Sequence, residues 1–97
     1  MILKDINDLK NHYKSKLEWY FAAIERTESE IQSMWNDYFL SKKFAPHSIK
    51  LFEIEKTFTI LKDALQYFKQ CAAATEKRLE ELEKQEYAIL NSDDSIN

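Results

Sequence analysis

The segment Leu51-Phe52-Glu53-Ile54-Glu55-Lys56-Thr57-Phe58-Thr59-Ile60-Leu61-Lys62-Asp63-Ala64-Leu65-Gln66-Tyr67-Phe68 returns a large apolar residue after alternate steps of three and four. The frame Leu51, Ile54, Phe58, Leu61, Leu65, Phe68 continues without a slip through Ala72, Thr75, Leu79, Leu82, Glu86 and Ile89. A mean spacing of 3.5 residues lays these side chains along one stripe of an α-helix, the seam of a coiled coil. Lys56, Asp63, Gln70, Lys77 and Lys84 occupy the opposite side. All are polar, as a water-facing surface requires. The pattern predicts a helix over about 48–90, followed by a flexible tail over 91–97, where Asn91, Ser92, Asp93 and Asp94 give the chain little to bury.

Working back toward the N-terminus, a second frame reads Leu3, Ile6, Lys10, Tyr13, Leu17, Tyr20, Ile24, Thr27, Ile31, Met34 and Tyr38. Only Lys10 and Thr27 interrupt its apolar stripe. Asp5 to Asp8 offers short acceptors and negative charge for free amides at a helix start, which predicts a first helix over about 4–40. Between the frames, residues 41–47 contain Lys42, Lys43, Phe44, Ala45 and Pro46. Pro46 disfavours helix at Ala45 and suits the first turn of a new helix, while the two lysines complement the carbonyl end of the preceding one. A short connection between two long amphipathic helices makes them antiparallel. The expected fold class is therefore all-α: an antiparallel, coiled-coil-like two-helix hairpin over residues 1–90. On the second helix, Glu80 and Lys84 have the spacing of a favourable surface pair.

The chain has 97 residues, no Gly, one Pro, 44% hydrophobic and 32% charged residues, and a net charge of −3. Without Gly there is no phosphate-cradling loop. His12 and His47 belong to different elements and have no paired ligand spacing, so neither a metal site nor a catalytic one is expected, and no cofactor is implied. Lone Cys71 stands among Ala72, Ala73 and Ala74 and reads as a small packing residue suited to a reducing cytoplasm. The longest strongly apolar run, Trp19 to Ile24, falls far short of the roughly 20 residues that span a bilayer, which argues against membrane insertion. Lys42, Lys43 and Lys50 with Phe44 form a small basic cluster, but the negative net charge argues against nucleic acid. The beginning of the sequence reads without the basic leader and apolar core of a signal peptide.

Beyond the two seams lies more apolar surface than two helices can cover. Ile60, Ala64, Tyr67, Cys71 and Ala74 form a second stripe beside the seam of helix 2, and Trp19, Phe21, Trp35 and Phe39 stand outside the seam of helix 1. Phe44 and Phe52 add bulk near the turn. An exposed apolar surface of this extent marks a protein interface, and these residues are the expected partner-binding set. Burying one Trp or Phe is worth about 1.5–3 kcal/mol, large beside the few kcal/mol a small hairpin can muster. The expectation is a four-helix bundle, as a homodimer or with a partner hairpin.

The stretch Met34-Trp35-Asn36-Asp37-Tyr38-Phe39, shortly before the turn of a hairpin of about one hundred residues, resembles the WXG family of small type VII secretion proteins. Tyr87-Ala88-Ile89-Leu90-Asn91 is similar to the family's export signal after helix 2, with Asn91 where the acid stands, and Asp37 replaces the motif Gly. In this form the chain most resembles the accessory helical partners of LXG toxins. The resemblance implies a noncatalytic adaptor or targeting partner that binds the helical N-terminal domain of such a toxin or a second small hairpin. It assigns secretion-signal roles to Trp35 and Tyr87, and a bacterial cytoplasmic location, with co-secretion lacking a classical signal peptide as the other outcome. Two alternatives use the same surfaces. One is a cytosolic chaperone or assembly factor of another secretion or phage system; the other is an inhibitor or regulator acting through the tip from Lys42 to Ile49.

Overall fold

The computed structural model describes residues 2–96, with side chains described over 2–92. It consists of α1 (Leu3–Phe44) and α2 (Ile49–Ile96), joined by four residues. The expected hairpin is present, and both helices are longer than the side-chain pattern suggested. At the start of α1, Ile2 is extended and provides no side-chain cap. Its carbonyl instead accepts from the amides of Asp5 and Ile6 at 3.0 and 3.2 Å. Asp5 thus lies inside the first turn, where its charge faces the free amides, and the capping role expected of Asp5 to Asp8 falls to the backbone.

Helix 1 continues through Ser41, Lys42, Lys43 and Phe44 because nothing in that run opposes helix. The first constraint comes from Pro46, which acts on Ala45 (φ −149°, ψ 65°). The Ala45 amide donates back to Ser41 at 2.8 Å and closes the last turn. Pro46 itself sits in the connection rather than in the first turn of α2. Ser48 opens that helix: its Oγ accepts from the Leu51 amide at 3.1 Å, the geometry of an N-cap. Ser48→Ala is expected to destabilise the hairpin by about 1 kcal/mol, read as a lower midpoint in thermal unfolding followed by circular dichroism. At the far end α2 runs through Ile96, past the expected end near Leu90.

Every position of both heptad frames is buried or half-buried, and the polar residues assigned to the opposite sides are exposed. Ile6 and Leu82 are fully buried, and Leu51, Ile54, Phe58, Ala72 and Leu79 extend the core along α2. The frames' polar interruptions are accommodated in two ways. Thr27 and Thr75 turn their hydroxyls onto the carbonyls of Ala23 and Cys71 at 2.7 and 2.8 Å, so neither buried oxygen lacks a partner. Lys10 and Glu86, the only charged residues in the two seams, meet across the hairpin, with Nζ to Oε2 at 3.1 Å and side chains 15% and 25% exposed. Far apart in sequence, they pin the antiparallel register. On the surface of α2, Arg78 pairs with Glu81 at 3.1 Å. Glu80 and Lys84, spaced for such a pair, do not form one among the described residues.

The result is a rod of 76 × 15 × 14 Å with a radius of gyration of 21.7 Å. A compact domain of about 100 residues has a radius near 13 Å. Two helices side by side share a seam but enclose no second layer. Each off-seam side chain must find cover on a flank or remain in water.

Candidate protein-binding surfaces

The heptad frame sorts the off-seam residues into two flanks. Trp19, Ile60 and Tyr67 each stand two positions after a frame Leu or Phe, and with Ala64, Cys71 and Ala74 they border one side of the seam. Contacts across the hairpin place the two helices' contributions on the same side. Trp19 meets the edge of Phe68 at 5.8 Å between ring centroids. The Cys71 thiol, by hydrogen bonding and then charge, and Tyr20 to a smaller degree, hold the Tyr67 phenol above its ordinary value. That phenol therefore stays protonated near neutral pH and can donate a hydrogen bond. Further along, hydrogen bonds from Arg78 to Tyr13 and then to Glu81 hold the guanidinium above the usual arginine range. Despite these contacts Trp19, Ile60 and Tyr67 are 57%, 59% and 61% exposed. We refer to this surface as the Trp19 flank.

The opposite Trp35 flank is aromatic toward the turn. Trp35 stacks on Phe39 at 5.3 Å and packs against Phe58 of α2 at 5.1 Å, with Tyr38 bridging at 5.6 Å from each of Trp35 and Phe58. Trp35 is consequently half-buried within its own chain. This corrects the expectation that it lies wholly outside the intramolecular packing: a position one step off the seam is close enough for an indole to reach the facing Phe. A groove lined by Trp35, Tyr38, Glu55, Phe58, Thr59 and Lys62 runs between the helices here. Phe39 and Phe52 remain exposed on the same side, and Phe21 lines a shallow depression with Ile24, Glu25 and Glu28. Cys71, expected among the contact residues of the other flank, is also half-buried.

At the tip, Phe44 and Ile49 are 74% and 78% exposed. Lys43 lies over the Phe44 ring, and Lys42 over that of Tyr38. Periodicity does not single out Ile49, which stands outside both stripes and has its adjacency to the break as the available signal; Leu40, two positions after Tyr38, has the same heptad position as Trp19. Tyr87 is exposed near the open end of the rod, beside Glu80, Glu83 and Lys84. The structure therefore does not bring Tyr87 and Trp35 together. They stand toward opposite ends of the hairpin.

Among the described residues no group of three or more His, Cys, Asp or Glu side chains converges as a metal site. Among them, too, no helix is long and apolar enough to cross a membrane. His12 is exposed on α1 against the edge of Tyr13, and His47 is exposed in the connection. No known protein family, curated protein or solved structure matches the chain.

Proposed function

We propose that the protein is a noncatalytic helical adaptor that completes its packing on the helices of a protein partner. One observation carries this reading: among the described residues, twelve large hydrophobic side chains are exposed along the rod, against eight hydrophobic residues in its core. In a monomer so divided, a client's amphipathic helices gain by covering apolar surface that the hairpin's own seam leaves in water. The resemblance of the Trp35 stretch and of Tyr87 to small type VII secretion proteins supports a particular client, the helical N-terminal domain of an LXG-type toxin or another small hairpin. The adaptor would stabilise that domain and target it for export.

Co-expression with such a domain encoded in the same host tests the reading. The expected result is a stable complex on size-exclusion chromatography that dissolves with Phe39→Ser/Phe52→Ser, together with lower client export for Trp35→Ala and Tyr87→Ala. No complex at tens of micromolar would refute the client, and unchanged export with intact binding would refute the signal roles. The exposed pair Phe44 and Ile49 supports a second reading, in which the tip occludes a site on an enzyme or nucleic-acid-binding protein. Under that reading Phe44→Ala abolishes activity and leaves flank binding intact. A chaperone of another secretion or phage system would use the same flanks and remain in the producing cell, which fractionation distinguishes.

A further inference from the structure

We propose that the Trp19 flank docks a second copy of this chain, with the two hairpins antiparallel and their tips at opposite ends. The two-fold axis passes beside Leu65 and Gln66 of α2. The argument begins with the order of charges on that flank. Along α2 it reads Lys50, Glu53, an apolar centre, then Arg78 and Glu81. Reversed onto itself, this order sets Lys50 opposite Glu81 and Glu53 opposite Arg78, twice each by symmetry. A parallel pairing, turned about the long axis of the rod, lays α1 of one copy on α2 of the other and forms none of these pairs. The same antiparallel register places Tyr67 opposite Ala64 and Ile60 opposite Cys71, so each large side chain meets a small one. These layers follow the three-and-four spacing that helices need for knobs-into-holes packing.

Helix 1 is compatible with this pairing. The contacts Lys10 to Glu86 and Trp35 to Phe58 relate the two helices along the rod, and they carry the axis on α1 to between Thr27 and Ile31. With the axis at Glu28, inside that span, Arg26 faces Glu30 of the second copy, again as opposite charges. Trp19 faces Asp37, whose carboxylate can accept its indole N–H. All four residues are exposed in the single hairpin. The Trp35 flank lacks this complementarity: Glu18, Glu25 and Glu28 cluster near the middle of α1 there, and reversal brings like charges together.

Overlap of residues 49–82 extends about 50 Å at 1.5 Å per residue. On a rod 15 Å across this gives about 1,500 Å² in total over both copies, within the range that stable dimers bury. Self-pairing leaves the Trp35 flank and the open ends bearing Tyr87 uncovered. A client bound there and a second copy bound on the Trp19 flank are separate events, so either can fail without the other.

Two measurements on the full chain test the proposal. By sedimentation equilibrium the wild type should be dimeric at tens of micromolar. Lys50→Glu should weaken association about tenfold, since two exposed attractive pairs become repulsive. Lys50→Glu/Glu81→Lys should restore it to within about threefold. The second measurement uses Ile60→Cys beside native Cys71. Within one chain these positions are about 16 Å apart along the helix and cannot join. In the proposed pair they face each other, so mild oxidation should give a covalent dimer whose peptide map joins the introduced thiol at position 60 to Cys71 of the other copy. A wild type that is monomeric, a double charge reversal that fails to restore pairing, or a map containing only links between identical positions would overturn it. Unchanged helical circular dichroism in each variant confirms that the hairpin itself is intact.

Discussion

Phe58→Ala is expected to cost the hairpin about 3–5 kcal/mol, the usual penalty for removing a buried aromatic ring. Phe58 is 7% exposed and is the ring on which Trp35 and Tyr38 both rest. Its loss opens a cavity in a seam only two helices thick, with no neighbouring layer to collapse into it. A penalty of this size matches the whole stability that a hairpin of this length can muster, so the helical circular dichroism signal should largely disappear at 25 °C. Phe52→Ala is the control. Phe52 lies on the same helix, nearer the turn, and is 67% exposed. Its substitution should change stability by less than about 0.5 kcal/mol. Equal losses for the two variants would show that the seam does not run through Phe58.

The second large effect concerns the charged pair in the seam. Lys10→Leu leaves the Glu86 carboxylate three-quarters covered and without its cation, a change expected to destabilise by about 2–3 kcal/mol, less than for a fully buried pair because water still reaches both groups. Lys10→Leu/Glu86→Leu should recover that loss and raise the thermal midpoint above wild type, since two apolar residues then meet where two charges had to be desolvated. The coupling between the two sites, read from a double-mutant cycle in urea, should exceed about 2 kcal/mol. Additive effects would mean that the side chains do not meet in solution. The pair also specifies register. With Leu at both positions a hairpin offset by one heptad loses its main penalty, so the double variant should show more exchange-broadened resonances than the wild type.

Much of this architecture is legible in residue order. The three-and-four spacing identifies the buried side of each helix because neighbours at those separations share a face whatever lies beyond them. Ala45 leaves the helical region as Pro46 requires, again through a strictly local clash. Helix ends are harder to place. Asp5 and Asp8 have the chemistry of caps, yet Ile2 serves through its backbone; Ser48 caps α2, although Pro46 offers the more conspicuous signal. Several adjacent residues can satisfy the same free amides, and the choice among them depends on where tertiary packing stops supporting the helix.

The off-seam aromatics divide more sharply. Trp19 and Trp35 are equivalent in composition and both stand off the seam, yet Trp35 is half-buried against Phe58 and Phe39 while Trp19 stays mostly in water with the rings of Phe68 and Tyr20 at its edge. Cover on a flank depends on the size and reach of a side chain on the other helix, which periodicity within one helix does not contain.

Residue order thus carried the hairpin, its seams and the excess of apolar surface, all of which follow from spacing along a single chain direction. Folding added the pairing of Lys10 with Glu86, the shelter given to Trp35 and the separation of the exposed surface into two unlike flanks. Those features arise between residues dozens of positions apart, and they come into being only when one helix is laid against the other in a particular register.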